Sequence, residues 1–286
     1  MTPKTGSAGL KFTRIAAEHI PAAHDLSLEV KWPHRLDDWR FVERLGSGFV
    51  AEDAGGMVGT AMYWKHDTRY ASLGMVIVSP ARQGHGIGKK LMSMVLDELE
   101  GLTVLLHATP SGQPLYARLG FVPHGAIDQH QGIVTDLPII SLAAGERLRP
   151  IGNSDGVKLA KLAAQASGLS RAVVVPALLE VADGIVLDRG GEAIGFALIR
   201  RFGRGYAIGP VVAPDVGRAQ ALIAHWISMR TRKFLRIDVP ADCGLTGWLE
   251  ARGLKHVDSV VAMARGAPPV RDPAMHVFAI INQALG

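Results

Sequence analysis

Three glycines in five positions, Gly84, Gly86 and Gly88, stand between an apolar run and a helical repeat. Met75 to Val78 is short and β-rich, and Pro80 breaks it. Ile87, Leu91, Val95 and Leu99 then recur every four residues, so a helix starts near Gly86 and buries one face. The start of a helix offers unpaired backbone N–H groups and the positive end of its dipole. Glycine there lets an anion approach the backbone with no Cβ in the way. Arg82, Lys89 and Lys90 add positive charge at the same end. These residue types in this order describe a cradle for a pyrophosphate. The spacing is not that of a Walker loop, because position 83 is Gln and Lys90 replaces the hydroxyl residue. Nor is it the dinucleotide fingerprint, whose glycines are spaced differently.

A second stretch carries the other chemistry. Leu115-Tyr116-Ala117-Arg118-Leu119-Gly120-Phe121 follows the strand expected at Leu102 to Ala108. Gln83-Gly84-His85-Gly86-Ile87-Gly88 matches Gln/Arg-x-x-Gly-x-Gly/Ala, and the two stretches together resemble the signatures of the GNAT superfamily of N-acyltransferases. The resemblance covers about residues 11–137. It implies acetyl-CoA as cosubstrate, bound by the backbone of Val76, Ile77 and Val78 and by Gln83, Gly84, His85, Gly86, Ile87, Gly88, Lys89 and Ser111. It also implies Tyr116 as general acid. One departure is that Thr109 stands where many members have Asn, seven residues before the Tyr.

The elements that position these residues follow from the pattern. Lys11 to Ile15 reads as a strand, Glu18 to Val30 as a helix broken at Lys31-Trp32-Pro33-His34, and Leu36 to Leu45 as a second helix. Phe49 to Glu52 and Met57 to Lys65 read as a hairpin around Asp53-Ala54-Gly55-Gly56, and Arg69 to Val78 returns antiparallel. In the fold that the resemblance implies, the two helices and their joint form one wall of the acceptor cleft. Trp32 and Asp37 are then candidate substrate contacts and Glu29 a candidate general base or substrate contact. Asp37, Asp38, His66 and Asp67 are further candidates for the base. His107, on the strand beside the cleft, reads first as a core histidine.

The second half repeats the first weakly. Ser141 to Arg149 reads as a linker, and Asn153-Ser154-Asp155 as the cap of a helix from Gly156. Gly184 to Asp188 and Ala193 to Arg200 resemble a hairpin. Tyr206 to Pro214 echoes the strand ending Val78-Ser79-Pro80, and Trp248 to Leu254 echoes Leu115 to Phe121. Aligning Pro214 with Pro80 puts Gln220 at Gly86, Leu222 at Gly88 and Leu249 at Tyr116, so the copy lacks the cradle and the phenol. The expected fold is α/β (α+β): two tandem GNAT-type domains, 1–140 and 141–286, each a mixed, mostly antiparallel twisted sheet flanked by helices. The resemblance implies that the first carries catalysis and that the segment ending at Gly286 docks back near the interface.

Composition narrows the function class. The 286 residues are 48% apolar with a formal net charge of +5. The basic residues are dispersed and not interleaved with aromatics, which disfavours a nucleic-acid partner. No apolar run approaches the ~20 residues of a membrane span. A single cysteine, Cys243, excludes an internal disulfide and suits the cytoplasm. No His/Cys/Asp spacing suggests a metal. The reading is an N-acetyltransferase that transfers the acetyl group of acetyl-CoA to a primary amine of a small molecule by direct attack in a ternary complex. A non-catalytic acyl-CoA sensor or scaffold and a protein lysine or N-terminal acetyltransferase are the alternatives. The oligomeric state stays open between monomer and homodimer.

Overall fold

A computed structural model describes residues 9–135, 138–139 and 141–286. The first half runs β1 (Lys11–Arg14), α1 (Ile20–Glu29), α2 (Leu36–Leu45), β2 (Ser47–Asp53), β3 (Gly56–Lys65), β4 (Tyr70–Val78), α3 (Ile87–Glu98), β5 (Thr103–Ala108), α4 (Gln113–Arg118) and β6 (Val122–Ile133). The second runs β7 (Glu146–Pro150), α5 (Gly156–Ser167), α6 (Val174–Leu179), β8 (Asp183–Arg189), β9 (Glu192–Phe202), β10 (Gly205–Ala213), α7 (Val216–Met229), β11 (Phe234–Pro240), α8 (Thr246–Glu250), β12 (Lys255–Arg265) and β13 (His276–Ala279).

The strands form one sheet in the order β1-β2-β3-β4-β5-β12-β6-β11-β10-β9-β8-β7, with β13 on β10. Each half lends its long late strand to the other. β12 pairs antiparallel with β5, Val261 opposite Ala108, and β6 pairs antiparallel with β11, Ile237 opposite His130. β6 and β12 pair with each other at the centre. A core is shared as well: Trp39 and Phe41 of α2 lie in one buried cluster with Leu159 of α5, Val175 of α6, Phe196 of β9 and Leu285. Two apolar faces that would each be exposed on a separate half are thereby covered together.

Both halves contain the same irregularity. On β4, Gly74 to Ile77 stand opposite Met62 to Thr60 of β3, one residue more than the partner, and Met75 takes φ 52°. On β10, Ile208 to Val211 stand opposite Ile199 to Ala197 of β9, again one residue more. Such a bulge bends its strand away from the neighbour. β4 accordingly pairs in parallel with β5 only from Tyr70 to Ser72, and β10 with β11 only from Tyr206 to Ile208. Beyond those residues each pair opens into a V.

Two local expectations change. Glu146–Pro150, within the stretch that reads as a linker, is an edge strand. Arg147 and Arg149 look like loop residues, but both reach Asp188 on β8, at 3.2 and 3.0 Å. Charged side chains on an edge strand also discourage pairing with other chains. Asp155 does not cap α5 with its side chain; its carboxylate accepts from the Gly152 N–H at 2.7 Å and binds Arg149.

Candidate active site

The V between β4 and β5 opens into a cleft of about 850 Å³. Its floor is the bulged segment Leu73 to Val78. One end is made by the turn before α3 and by α4, the other by the α1–α2 joint together with residues of the second half.

At the first end, the turn delivers the open helix start that the glycines imply. Gly86 is the N-cap of α3 at φ 80°, and no side chain caps it. The first ladder bond into α3 runs from the Lys90 N–H to the Gly86 carbonyl, which leaves the N–H groups of Ile87, Gly88 and Lys89 without helical partners. A Cβ on Gly84 or Gly86 would meet nothing within 4 Å; it is their positive φ of 80° that selects glycine. Gln83 and Gly88 line the cleft. His85, Lys89 and Lys90 are exposed, and Arg82 is paired with Asp53 at 2.7 Å. These are free backbone donors, an open approach and positive charge nearby, the donor set that a pyrophosphate requires.

Tyr116 projects from α4 into the same cleft. Its ring packs edge-on to Phe121, centroids 6.0 Å apart, while the hydroxyl has no hydrogen-bond partner among the described residues. Burial pushes its pKa up to about 12, so the phenol stays protonated. Thr109 caps the turn into α4: its Oγ1 accepts from the Gly112 N–H at 3.3 Å and meets Ser111 Oγ at 3.2 Å.

His107 lies where β4 and β5 part, and it faces the cleft. Its Nδ1 donates to the Gln283 carbonyl at 2.8 Å. A carbonyl only accepts, so Nδ1 carries the proton and Nε2 is left with a lone pair. Burial, outweighing that hydrogen bond, holds the imidazole below its ordinary pKa. The segment carrying Gln283 crosses from β13 to the first half, and Ala284 passes so close to Gly74 that a Cβ there would lie 3.1 Å away.

The acceptor end brings together some of the expected residues and leaves others outside. Trp32 lines it with Lys31 and His34. Glu29 is exposed at the end of α1 and does not line the cleft. Asp37 faces solvent, bound to Arg35 at 2.9 Å and Arg40 at 3.1 Å. Asp38 does line the cleft, but its carboxylate is consumed. It accepts from the N–H groups of Arg35 and Gly203, both at 2.9 Å, and pairs with Arg200 at 3.5 Å. Arg200 is 5% exposed and lies over the rings of Phe41 and Phe202. Asp38 thus ties the α1–α2 joint to the β9–β10 turn. Buried beside Arg236 and Arg200, the His34 imidazole is pushed down to about 3 and stays neutral.

The remaining wall comes from strands remote in sequence: Gln129 and Gln131 on β6, Phe202 and Arg204 at the β9–β10 turn, Arg236 on β11 and Asp258 on β12. No local motif marks these residues; only the exchange of β6 and β12 brings them to the cleft. Cys243 lies elsewhere, its thiol pushed up to about 11 by burial. Among the described residues no group of His, Cys, Asp or Glu is placed to hold a metal, and no helix is long and apolar enough to cross a membrane.

The repeated V, the helix start and the order of the elements define an acyltransferase fold present twice. A family model described as "Acetyltransferase (GNAT) domain" matches residues 44–123. A second model of the same description matches residues 159–279. The chain belongs to the GNAT superfamily and carries two of its domains in tandem. It is 22% identical over 279 residues to the Bacillus subtilis (strain 168) protein described as "Uncharacterized N-acetyltransferase YitH", covering 96% of this chain and 97% of that one. It is 24% identical over 261 residues to holothin acyltransferase of Pseudoalteromonas sp. (strain SANK 73390), covering 88% and 86%. A candidate acetyltransferase from Pyrococcus horikoshii shares the fold, with a TM-score of 0.78, 20% identity and coverage of 100% and 99%.

Proposed function

We propose that the chain is an acetyl-CoA-dependent N-acetyltransferase acting on the primary amine of a small molecule, with catalysis confined to the first domain. One observation carries this reading: the uncapped N-terminus of α3, the open edge of β4 and the Tyr116 hydroxyl face one cleft. The N–H groups of Ile87, Gly88 and Lys89 would hold the pyrophosphate, and the β4 edge from Leu73 to Val78 would pair with the pantetheine arm as with an added strand. Acetyl-CoA supplies the activated thioester. His107 Nε2 accepts a proton from the acceptor ammonium, directly or through one water, and the neutral amine attacks the thioester carbonyl. The C–N bond forms as the C–S bond breaks, Tyr116 gives its proton to the departing sulfur, and the second proton shed by the attacking nitrogen restores the phenol. Glu29 and Asp37 have no place in this scheme, because neither lines the cleft.

A small acceptor is favoured over a protein chain. Phe202, Arg204, Asn282 and Gln283 stand at the acceptor end, where an extended peptide would need an open groove. The reading is tested by titrating acetyl-CoA into the purified protein and then screening amines by release of free thiol. Thiol release that depends on an amine supports it. Tight acetyl-CoA binding with no turnover on any amine would favour a sensor.

A further inference from the structure

Donors cluster on one wall of the acceptor end. Arg236 is fixed by Asp238, its Nε and Nη2 bonding the two carboxylate oxygens at 2.8 and 2.7 Å, and its guanidinium lies against Phe202. That arrangement leaves Nη1 without a partner among the described residues. Gln131 stands opposite Arg236 across the β6–β11 ladder. The Gln129 amide donates to the Gln131 carbonyl oxygen at 3.3 Å, which leaves the Gln131 NH₂ free. Lys31 and Arg204 line the same end, and neither has an acid partner among the described residues. The acids are committed elsewhere: Asp38 to Arg200 and two backbone N–H groups, Asp238 to Arg236. Asp258 is exposed, and its Oδ1 accepts from the Ser259 N–H at 2.9 Å.

Of the two carboxylates that line the cleft among the described residues, only the exposed Asp258 keeps a free oxygen for an ammonium, whereas several donors face a carboxylate. We propose, building on the acetyltransferase reading, that the acceptor is an amino-carboxylate. Its carboxylate sits against Arg236 and Gln131, with Lys31 and Arg204 at the rim. A planar carboxylate matches the edge of a guanidinium whose orientation is already set. The same positive surroundings favour the neutral amine over the ammonium, and the neutral amine is the form that attacks.

The experiment is a thiol-release assay on matched acceptors: amino acids, their carboxamides, the corresponding decarboxylated amines, and an amine phosphate beside its alcohol. The expected result is a kcat/KM for the acid at least about tenfold above its carboxamide, since an unmatched donor set in a closed site rejects the neutral analogue. Because Arg236→Gln would strip buried Asp238 of its partner, Arg236→Lys and Arg204→Gln are used instead. Arg236→Lys keeps the charge but loses the fork. It should cut the acid-to-carboxamide ratio about tenfold, chiefly through KM, while acetyl-CoA affinity by calorimetry stays that of the parent. Equal turnover of acid and carboxamide overturns the proposal. A preference for the amine phosphate alone overturns the carboxylate assignment. Failure of every acid while acetyl-CoA still binds also overturns it. Absence of acetyl-CoA binding is a different result and refutes the acetyltransferase reading itself.

Discussion

The chain builds the same V-shaped opening twice and leaves only one of them free. In the first half, β4 and β5 part after Ser72, and the cleft lies between them. In the second, β10 and β11 part after Ile208, and β13 fills the gap, pairing Val212 with Val277 and Ala213 with His276. The bulge that carries Met75 and Val76 in the first half carries Gly209 and Pro210 in the second. Pro210 has no N–H to offer, and a Cβ on Gly209 would lie 2.1 Å from the Ile280 carbonyl. The helix starts differ in the same sense. α3 begins at an uncapped Gly86 after an eight-residue turn, whereas α7 begins at Val216, where Asp215 accepts from the Arg218 N–H at 3.0 Å. In the second half, a carboxylate of the chain occupies the place where an anion would bind. In the duplicated fold a strand and an acid of the chain stand where the first half leaves its cleft and helix start open.

Several changes would break or sharpen that contrast. The largest effect should come from Gly86→Gln. The variant forces a side chain onto a residue at φ 80°, which strains the turn that presents the free N–H groups. Losing two charge-assisted bonds at about 1.5–3 kcal/mol each weakens acetyl-CoA binding by about 10²-fold or more. Calorimetry showing parent affinity would mean that the cradle lies elsewhere.

Next is Tyr116→Phe, which keeps the ring contact with Phe121 and removes only the phenolic proton. Loss of a general acid with a fairly good thiolate leaving group lowers kcat by about 10²-fold, ~3 kcal/mol, with little change in acetyl-CoA affinity. A wild-type kcat would reduce Tyr116 to a packing residue.

The pH profile should follow from two shifts. Tyr116 is raised to about 12, so its ionisation adds no alkaline limb below about pH 10. His107 is lowered, so the rate falls only when the pH drops below the ordinary histidine range and Nε2 becomes protonated. His107→Gln should remove that acid limb; if the limb persists, another group is the base.

The smallest effect is expected in the second half. Asp215→Ala removes a helix cap and costs about 1 kcal/mol, a fall of a few degrees in Tm. It should not create a second acetyl-CoA site, because β13 still fills the V. Gain of a second site on this single change would show that Asp215 alone closes the second domain.

Much of the contrast was legible in the residues. The glycine spacing located the helix start, and the apolar run before Pro80 located β4. The match of Pro214 to Pro80 holds through the strand, since both bulges fall at corresponding positions. It fails one turn later. Gln220 and Leu222 do not replace Gly86 and Gly88, because the eight-residue turn is missing and both residues lie inside α7. A shortened loop leaves no mark in an apolar repeat, since the helical period reads the same from either start. The acceptor wall was not legible for another reason. Strand periodicity shows which face is buried, not which strand lies alongside, so the exchange of β6 and β12 left no local signal. Glu29 and Asp37 had the right chemistry on the right helices but point to solvent; the helical repeats there fix the buried stripe better than the polar one.

The central claim is that one opening binds acetyl-CoA and the other is filled by the chain itself. Isothermal titration of the intact protein with acetyl-CoA tests it most directly. The account predicts one equivalent per chain, its affinity weakened about 10²-fold or more by Gly86→Gln. Two equivalents, or one whose affinity that substitution leaves unchanged, would contradict it.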